Sequence, residues 1–249
     1  MITIKTCDAI TKMRTAGNLL AHMFEMLKLK IVSGITTLDI DSLIENYITK
    51  NGLVSSSKGY MGYKHSSCIS VNDEVVHGVP SSKNKIKDGD LVKVDVCASY
   101  KGYCADMARC FFMKDVSSEV IELVTAAQLA LDKGIDKARD GNRLSDISHA
   151  IETEINHYGY GIVREFAGHG IGSKMHEDPE ILNYGSPGRG PVIKVGMAFA
   201  IEPMITLGKH AILIEKDGWT VRTVDGKYAA HVEDTVIVME DGPMIITRL

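Results

Sequence analysis

At 249 residues the chain is long enough to bury a full hydrophobic core without a disulfide, a structural metal or an obligate partner. Apolar residues make up 45% and charged residues 24%, close to soluble globular averages, which excludes disorder as a description of the whole. A net charge of −4 argues against specific nucleic-acid binding and favours small molecules or peptides as partners.

Ile10, Met13, Leu20, Met23, Phe24, Leu27 and Ile31 recur at helical spacing, which predicts a helix from an N-cap at Asp8 to a stop at Gly34. A second helix, capped by Thr36 or Thr37, turns Leu43, Ile44, Tyr47 and Ile48 inward and ends at Asn51-Gly52. Leu53 to Pro80 is loop-like through Gly59-Tyr60-Met61-Gly62-Tyr63, with short strands Cys68 to Val71 and Glu74 to His77 around Asn72-Asp73. The two tyrosines between glycines either pack under the loop or line a pocket.

Lys87 to Asp90 is a turn into the alternating strand Leu91 to Val96, and Gly102 marks the return into Tyr103 to Phe112. With Ala98 facing Tyr103 across a four-residue loop, Asp95 falls opposite Asp106 on one face, an arrangement that is destabilising unless a cation lies between them. Two helices follow, Ser117 to Lys137 and Leu144 to Tyr158, separated by Asp140-Gly141-Asn142. The remainder is strand and loop, with strands at Ala198 to Ile201, Ala211 to Glu215, Thr220 to Thr223 and Val232 to Val238. Runs of strands and pairs of helices thus appear twice. The predicted fold is α+β, an antiparallel sheet core with flanking helices in two pseudo-two-fold halves that meet at the site.

No Pro/Ser-rich linker divides the chain, so residues 1–249 are read as a single domain. The five cysteines are scattered without a CxxC pair, and Met1 to Lys5 lacks the apolar stretch of a signal peptide, which suits a reduced, cytoplasmic protein. No run approaches the roughly 18 apolar residues of a membrane helix, so no membrane partner is expected.

Asp95 sits within Val94-Asp95-Val96, Glu202 follows Phe199-Ala200-Ile201, and Glu233 precedes Val236-Ile237-Val238. Acids beside such apolar runs tend to be buried, which is costly unless they are paired or metal-bound. Taken singly, each aspartate or glutamate is an ordinary hydrogen-bonded residue and His169 a satisfied core group. Together, Asp95, Asp106, His169, Glu202 and Glu233 are four carboxylates and one imidazole, a hard donor set suited to two divalent ions rather than to a thiolate zinc. Two ions about 3.5 to 4 Å apart ionise a bridging water and polarise a carbonyl, so hydrolysis of an amide or ester is the natural chemistry.

The hairpin Val94-Asp95-Val96 to Cys104-Ala105-Asp106, the loop Gly168-His169-Gly170-Ile171-Gly172, Ile201-Glu202-Pro203 and His231-Val232-Glu233-Asp234-Thr235 resemble the type I methionine aminopeptidases, which have the pita-bread fold. The short interval from His176 to Glu202 leaves no room for the helical insertion of the type II enzymes, so the resemblance is to the short bacterial form. It implies removal of the initiator methionine from nascent proteins with a small second residue. Asp95 would bind one ion, Asp106 and Glu233 would bridge both, and His169 and Glu202 would complete the second. Glu202 would also manage the proton of the attacking water, His77 would attend the scissile nitrogen, and His176 the carbonyl oxygen; alternatively, the two histidines only orient other groups.

Tyr60, Tyr63, Cys68, Met175 and Trp219 would surround the methionine side chain, with Ser57, Met61 and Met175 departing from the commoner family residues. Asn72 stands where such enzymes hold a monovalent cation on a backbone carbonyl. The ions would be cobalt, manganese, iron, zinc or nickel. The partners would be nascent N-termini and the ribosome, with the protein a monomer. A proline-specific peptidase shares the five ligands and is the alternative within this fold; a non-catalytic binding module is the alternative outside it.

Overall fold

Thr6, whose hydroxyl accepts from the Ala9 amide at 3.2 Å, caps the first helix, α1 (Cys7–Lys28), in a computed structural model that describes residues 1–249. The expected cap, Asp8, instead lies in the first turn, where its charge complements the positive end of the helix dipole. The helix also stops at Lys28, short of Ile31. Thr36 caps α2 (Thr37–Lys50) in a reciprocal capping box with Asp39. The second helix pair, α3 (Ser118–Lys137) and α4 (Leu144–Asn156), matches the predicted spans to within two residues. Gly134 lets α4 approach α3, since a Cβ there would lie 2.7 Å from Ile151 Cγ1.

The early strands are β1 (Val54–Ser55), β2 (Cys68–Val71), β3 (Glu74–Val76), β4 (Leu91–Tyr100) and β5 (Tyr103–Phe112). After the second helix pair come β6 (Gly161–Ile162), β7 (Gly168–Gly170), β8 (Glu177–Ile181), β9 (Ala198–Ile201) and β10 (Met204–Thr206). The last are β11 (Ile212–Ile214), β12 (Val221–Thr223), β13 (Ala229–His231), β14 (Glu233–Met239) and β15 (Gly242–Ile245).

A nine-stranded sheet runs β1-β4-β5-β14-β9-β7-β8, with β2 also on β4 and β15 also on β14. Two three-stranded sheets, β13-β10-β6 and β11-β12-β3, flank it. All pairings are antiparallel.

Alternation on β4 sends Val92, Val94, Val96 and Ala98 into the core beneath α1, while Asp95 points to the opposite face. One core of 28 buried residues joins α1 and α2 to the sheet, and a second of 25 joins α3 and α4 to it. Their near-equal size fits two halves, each with a helix pair backed on the curled antiparallel sheet. No helix is long and apolar enough to cross a membrane, and all five cysteines are free.

The hairpin register differs from the expected one. Tyr100 pairs with Tyr103 across a two-residue turn, Lys101-Gly102, so Asp95 faces Ala108 and Asp106 faces Cys97. Both turn residues have positive φ, 48° and 80°, the geometry whose twist matches the strands it joins. The shift is two residues, so Asp95 and Asp106 remain on one face as diagonal neighbours.

Candidate functional site

Ala108 at the middle of β5 is flanked by Asp95 on β4 and Glu233 on β14. A small side chain between two acids leaves space above the sheet where larger ones would fill it. The other half repeats the arrangement: Ala200 on β9 lies between Thr235 on β14 and His169 on β7, with Glu202 two residues further along the chain. Close backbone approach makes the His169 strand possible, because a Cβ at Gly170 would lie 2.0 Å from the Asp178 carbonyl oxygen.

Asp106, His169 and Glu233 each offer a ligand atom within 4.8 Å of the others. His169 Nε2 lies 3.7 Å from Glu202 Oε1 and 4.0 Å from Asp106 Oδ2. Asp95 joins from the neighbouring strand, lining the same cavity as the diagonal neighbour of Asp106. Burial pushes the Asp95, Glu202 and Glu233 carboxyls well above the usual carboxylate range, with the charge of Asp106 adding to each. Asp106 itself is pushed up to about 6, again by burial.

These residues fit a divalent cation. Glu233 Oε1 is a buried oxygen with no hydrogen-bond partner, and a cluster of four acids repels itself without a positive charge. The imidazole is oriented to ligate as well, because its Nδ1 donates to the Gly170 carbonyl at 2.9 Å and leaves the Nε2 lone pair facing the acids. Burial holds His169, His77 and His231 down to about 4, so all three are neutral at pH 7.

The four acids and His169 line one cavity of about 570 Å³ together with every predicted contact residue: Tyr60, Tyr63, Cys68, His77, Met175, His176 and Trp219. The tyrosines therefore line a pocket, although the Tyr63 hydroxyl is tied to the Ser67 carbonyl at 2.9 Å and presents its ring instead. Tyr63 meets Trp219 edge-on with ring centres 4.9 Å apart, beside the Cys68 sulfur. His176 stands 4.5 Å from the His169 ring and bonds the Tyr60 hydroxyl through Nδ1 at 3.2 Å. His77 is held in a left-handed backbone conformation, φ 58°, with its ring against Phe166 at 5.3 Å. Such a conformation is uncommon outside glycine and concentrates at functional positions.

Ser57 lines the cavity, whereas Met61 is 81% exposed and does not. Asn72 lies outside it, and its carbonyl accepts from Lys93 Nζ at 2.8 Å and from the Ala229 amide at 3.1 Å. Burial pushes the Lys93 ammonium down to about 8. Sequence reasoning missed His231, whose Nε2 lies 3.1 Å from Glu202 Oε2, and Phe166 behind His77. The available signal was parity, because His231 stands two residues before Glu233.

The model of the metallopeptidase family M24 matches residues 11–240. The methionine aminopeptidase of Clostridium perfringens is 45% identical over 100% of both chains, and that of Clostridium acetobutylicum is 44% identical over 99% of each. Among solved structures, a methionine aminopeptidase from Thermotoga maritima superposes with a TM-score of 0.98 at 40% identity, covering 100% of both chains.

Proposed function

The chain belongs to the metallopeptidase family M24, and from that premise we propose that it is an aminopeptidase removing N-terminal methionine from nascent proteins and peptides with a small second residue. The observation that carries this reading is the meeting of two things in one cavity: a carboxylate–imidazole cluster with an unsatisfied buried oxygen, and an apolar recess walled by Tyr63, Cys68, Met175 and Trp219. Aromatic rings and soft sulfur suit a thioether side chain. Of the other acids lining the cavity, Glu177 is paired with Lys5 and Asp178 with the chain's own N-terminus, which leaves Glu180 to attract the ammonium group of an incoming N-terminus.

Asp95, Asp106, His169, Glu202 and Glu233 would hold two divalent ions, with Asp106 and Glu233 shared between them. Bound there, such ions lower the pKa of water and polarise the scissile carbonyl. Glu202, whose carboxylate reaches into the cavity beside His169, takes the proton of the attacking water and passes it on to the leaving amine. His231 holds the other Glu202 oxygen and so fixes the direction in which that proton is received. With the Tyr60 O–H donating to His176 Nδ1, the His176 proton sits on Nε2, free to be donated to the carbonyl oxygen as charge develops on it. His77, oriented by Phe166, attends the amide nitrogen.

The whole chain acts as one catalytic unit, since its ligands come from strands along most of its length. Five free cysteines suit the reducing cytoplasm, where nascent chains leave the ribosome. The test is release of methionine from Met-Ala-Ser and Met-Ile-Ser with manganese, cobalt or iron(II) supplied. Rapid release from the first and little from the second is expected; no release from Met-Ala-Ser, or cleavage confined to Xaa-Pro peptides, overturns the assignment.

A further inference from the structure

Lys93 lies on β4 two residues before Asp95 and is only 1% exposed. Burying an ammonium is costly without an anionic partner. No carboxylate forms an ion pair with Lys93; its Nζ instead donates to the Asn72 backbone carbonyl at 2.8 Å. That carbonyl is held rigidly. The Asn72 amide donates to Leu91 O at 2.9 Å, its side chain accepts from the Leu91 amide at 2.9 Å and donates to Asp90 Oδ1 at 2.8 Å, and its φ is 55°. The same carbonyl oxygen accepts from the Ala229 amide at 3.1 Å. The turn between β2 and β3, the strand β4 and the start of β13 are therefore fastened at one oxygen atom.

A sodium or potassium ion expected at this carbonyl does not fit the residues present. Both lone pairs are engaged, and an ammonium at hydrogen-bond distance fills the adjoining space and repels a second cation. We propose that Lys93 is a built-in cation: its tethered ammonium does at the Asn72 carbonyl what a free monovalent ion would do, so the fold around the site draws no such ion from solution. Lys93 is thus a positioning residue. The turn it holds connects Cys68, which on β2 faces Asp95 of β4, to His77 just past β3, and β13 is followed after one residue by Glu233.

The experiment compares the wild-type chain with Lys93→Asn and Lys93→Met in sodium, potassium or N-methylglucamine salts at equal ionic strength, reading thermal midpoints without substrate. Wild-type midpoints are expected to agree within about 1 °C across the three cations, a small shift on the scale on which single substitutions move melting. Lys93→Asn, which leaves the carbonyl and opens space beside it, should melt earlier in N-methylglucamine and recover in sodium or potassium, with thallium(I) NMR showing one bound ion per chain. Lys93→Met fills the space without charge and should melt earlier in all three. Three outcomes overturn the proposal: a wild-type midpoint that rises by several degrees in sodium or potassium, a Lys93→Met chain as stable as wild type, or a Lys93→Asn chain indifferent to the cation, folded or not. Because the readout is melting rather than turnover, it is independent of which peptide the enzyme cleaves.

Discussion

Asp106 belongs to both halves of the site. Its backbone amide donates to Thr235 Oγ1 at 2.8 Å on β14, its side chain shares a cavity with Asp95 of β4, and it comes within 4.0 Å of His169. Replacing it with alanine removes one proposed ligand and one of four clustered acids that repel one another. Asp106→Ala should therefore lose measurable peptidase activity while melting no earlier than the metal-free wild type; retention of activity would refute the shared-ligand reading. His176→Ala tests a different contribution. Loss of one donor to the developing oxyanion should lower kcat by about 10²- to 10³-fold with little change in KM. The acids were legible in the sequence because a carboxylate among valines and isoleucines has few reasons to be buried. His231 was not, since an imidazole in an apolar run is ordinary until the partner across the fold, here Glu202, is known.

The β4–β5 hairpin shows how an element can be placed on the correct face with the wrong partners. Counting a four-residue loop paired Asp95 with Asp106, whereas Lys101 and Gly102 alone make the turn and pair Asp95 with Ala108. A slip of two keeps every side chain on its face, so the diagonal pair of acids survived the error; a slip of one would have buried Val94 and Val96 in the site. Loop length was hidden because Lys101 takes a left-handed φ that its residue type does not advertise. Helix packing offers a cleaner element-scale test. A Cβ on Gly134 would meet Ile151 at 2.7 and 2.9 Å, so Gly134→Ala should cost about 1–3 kcal/mol in denaturant unfolding through overpacking. Aminopeptidase kcat/KM should stay at the wild-type value, because neither α3 nor α4 lines the cavity.

For the molecule as a whole, the buried site sets the pH dependence of the metal-free fold. An acid whose pKa rises on folding stabilises fully below its unfolded value and loses that contribution as pH rises through the folded value, which for Asp106 runs from 3.8 to about 6. Asp95, Glu202 and Glu233, which burial also raises well above the usual carboxylate range, act in the same direction. His77, His169 and His231, lowered from 6.5 to about 4, act oppositely: their contribution is present above 6.5 and lost as pH falls through about 4. The thermal midpoint of the metal-free protein should thus fall between pH 6 and pH 8, where the acids dominate the titration. Manganese should raise it more at pH 8 than at pH 6 and release protons on binding, measurable by calorimetry in buffers of different ionisation enthalpy. An equal rise at both pH values would show that these acids do not take up the ion. The two-core architecture behind this was legible in the recurrence of helix pairs and strand runs, while the pairing of β14 with both β5 and β9 joins segments too distant for local pattern to reveal. That joining also governs when the enzyme becomes dangerous to other chains. Asp95 is made early, but the cluster lacks a member until Glu233 has emerged and β14 has settled between strands from either half. A chain interrupted shortly before that residue, by a premature stop or a broken message, carries both helix pairs, the hairpin and most of the acids, and is expected to show no proteolytic activity.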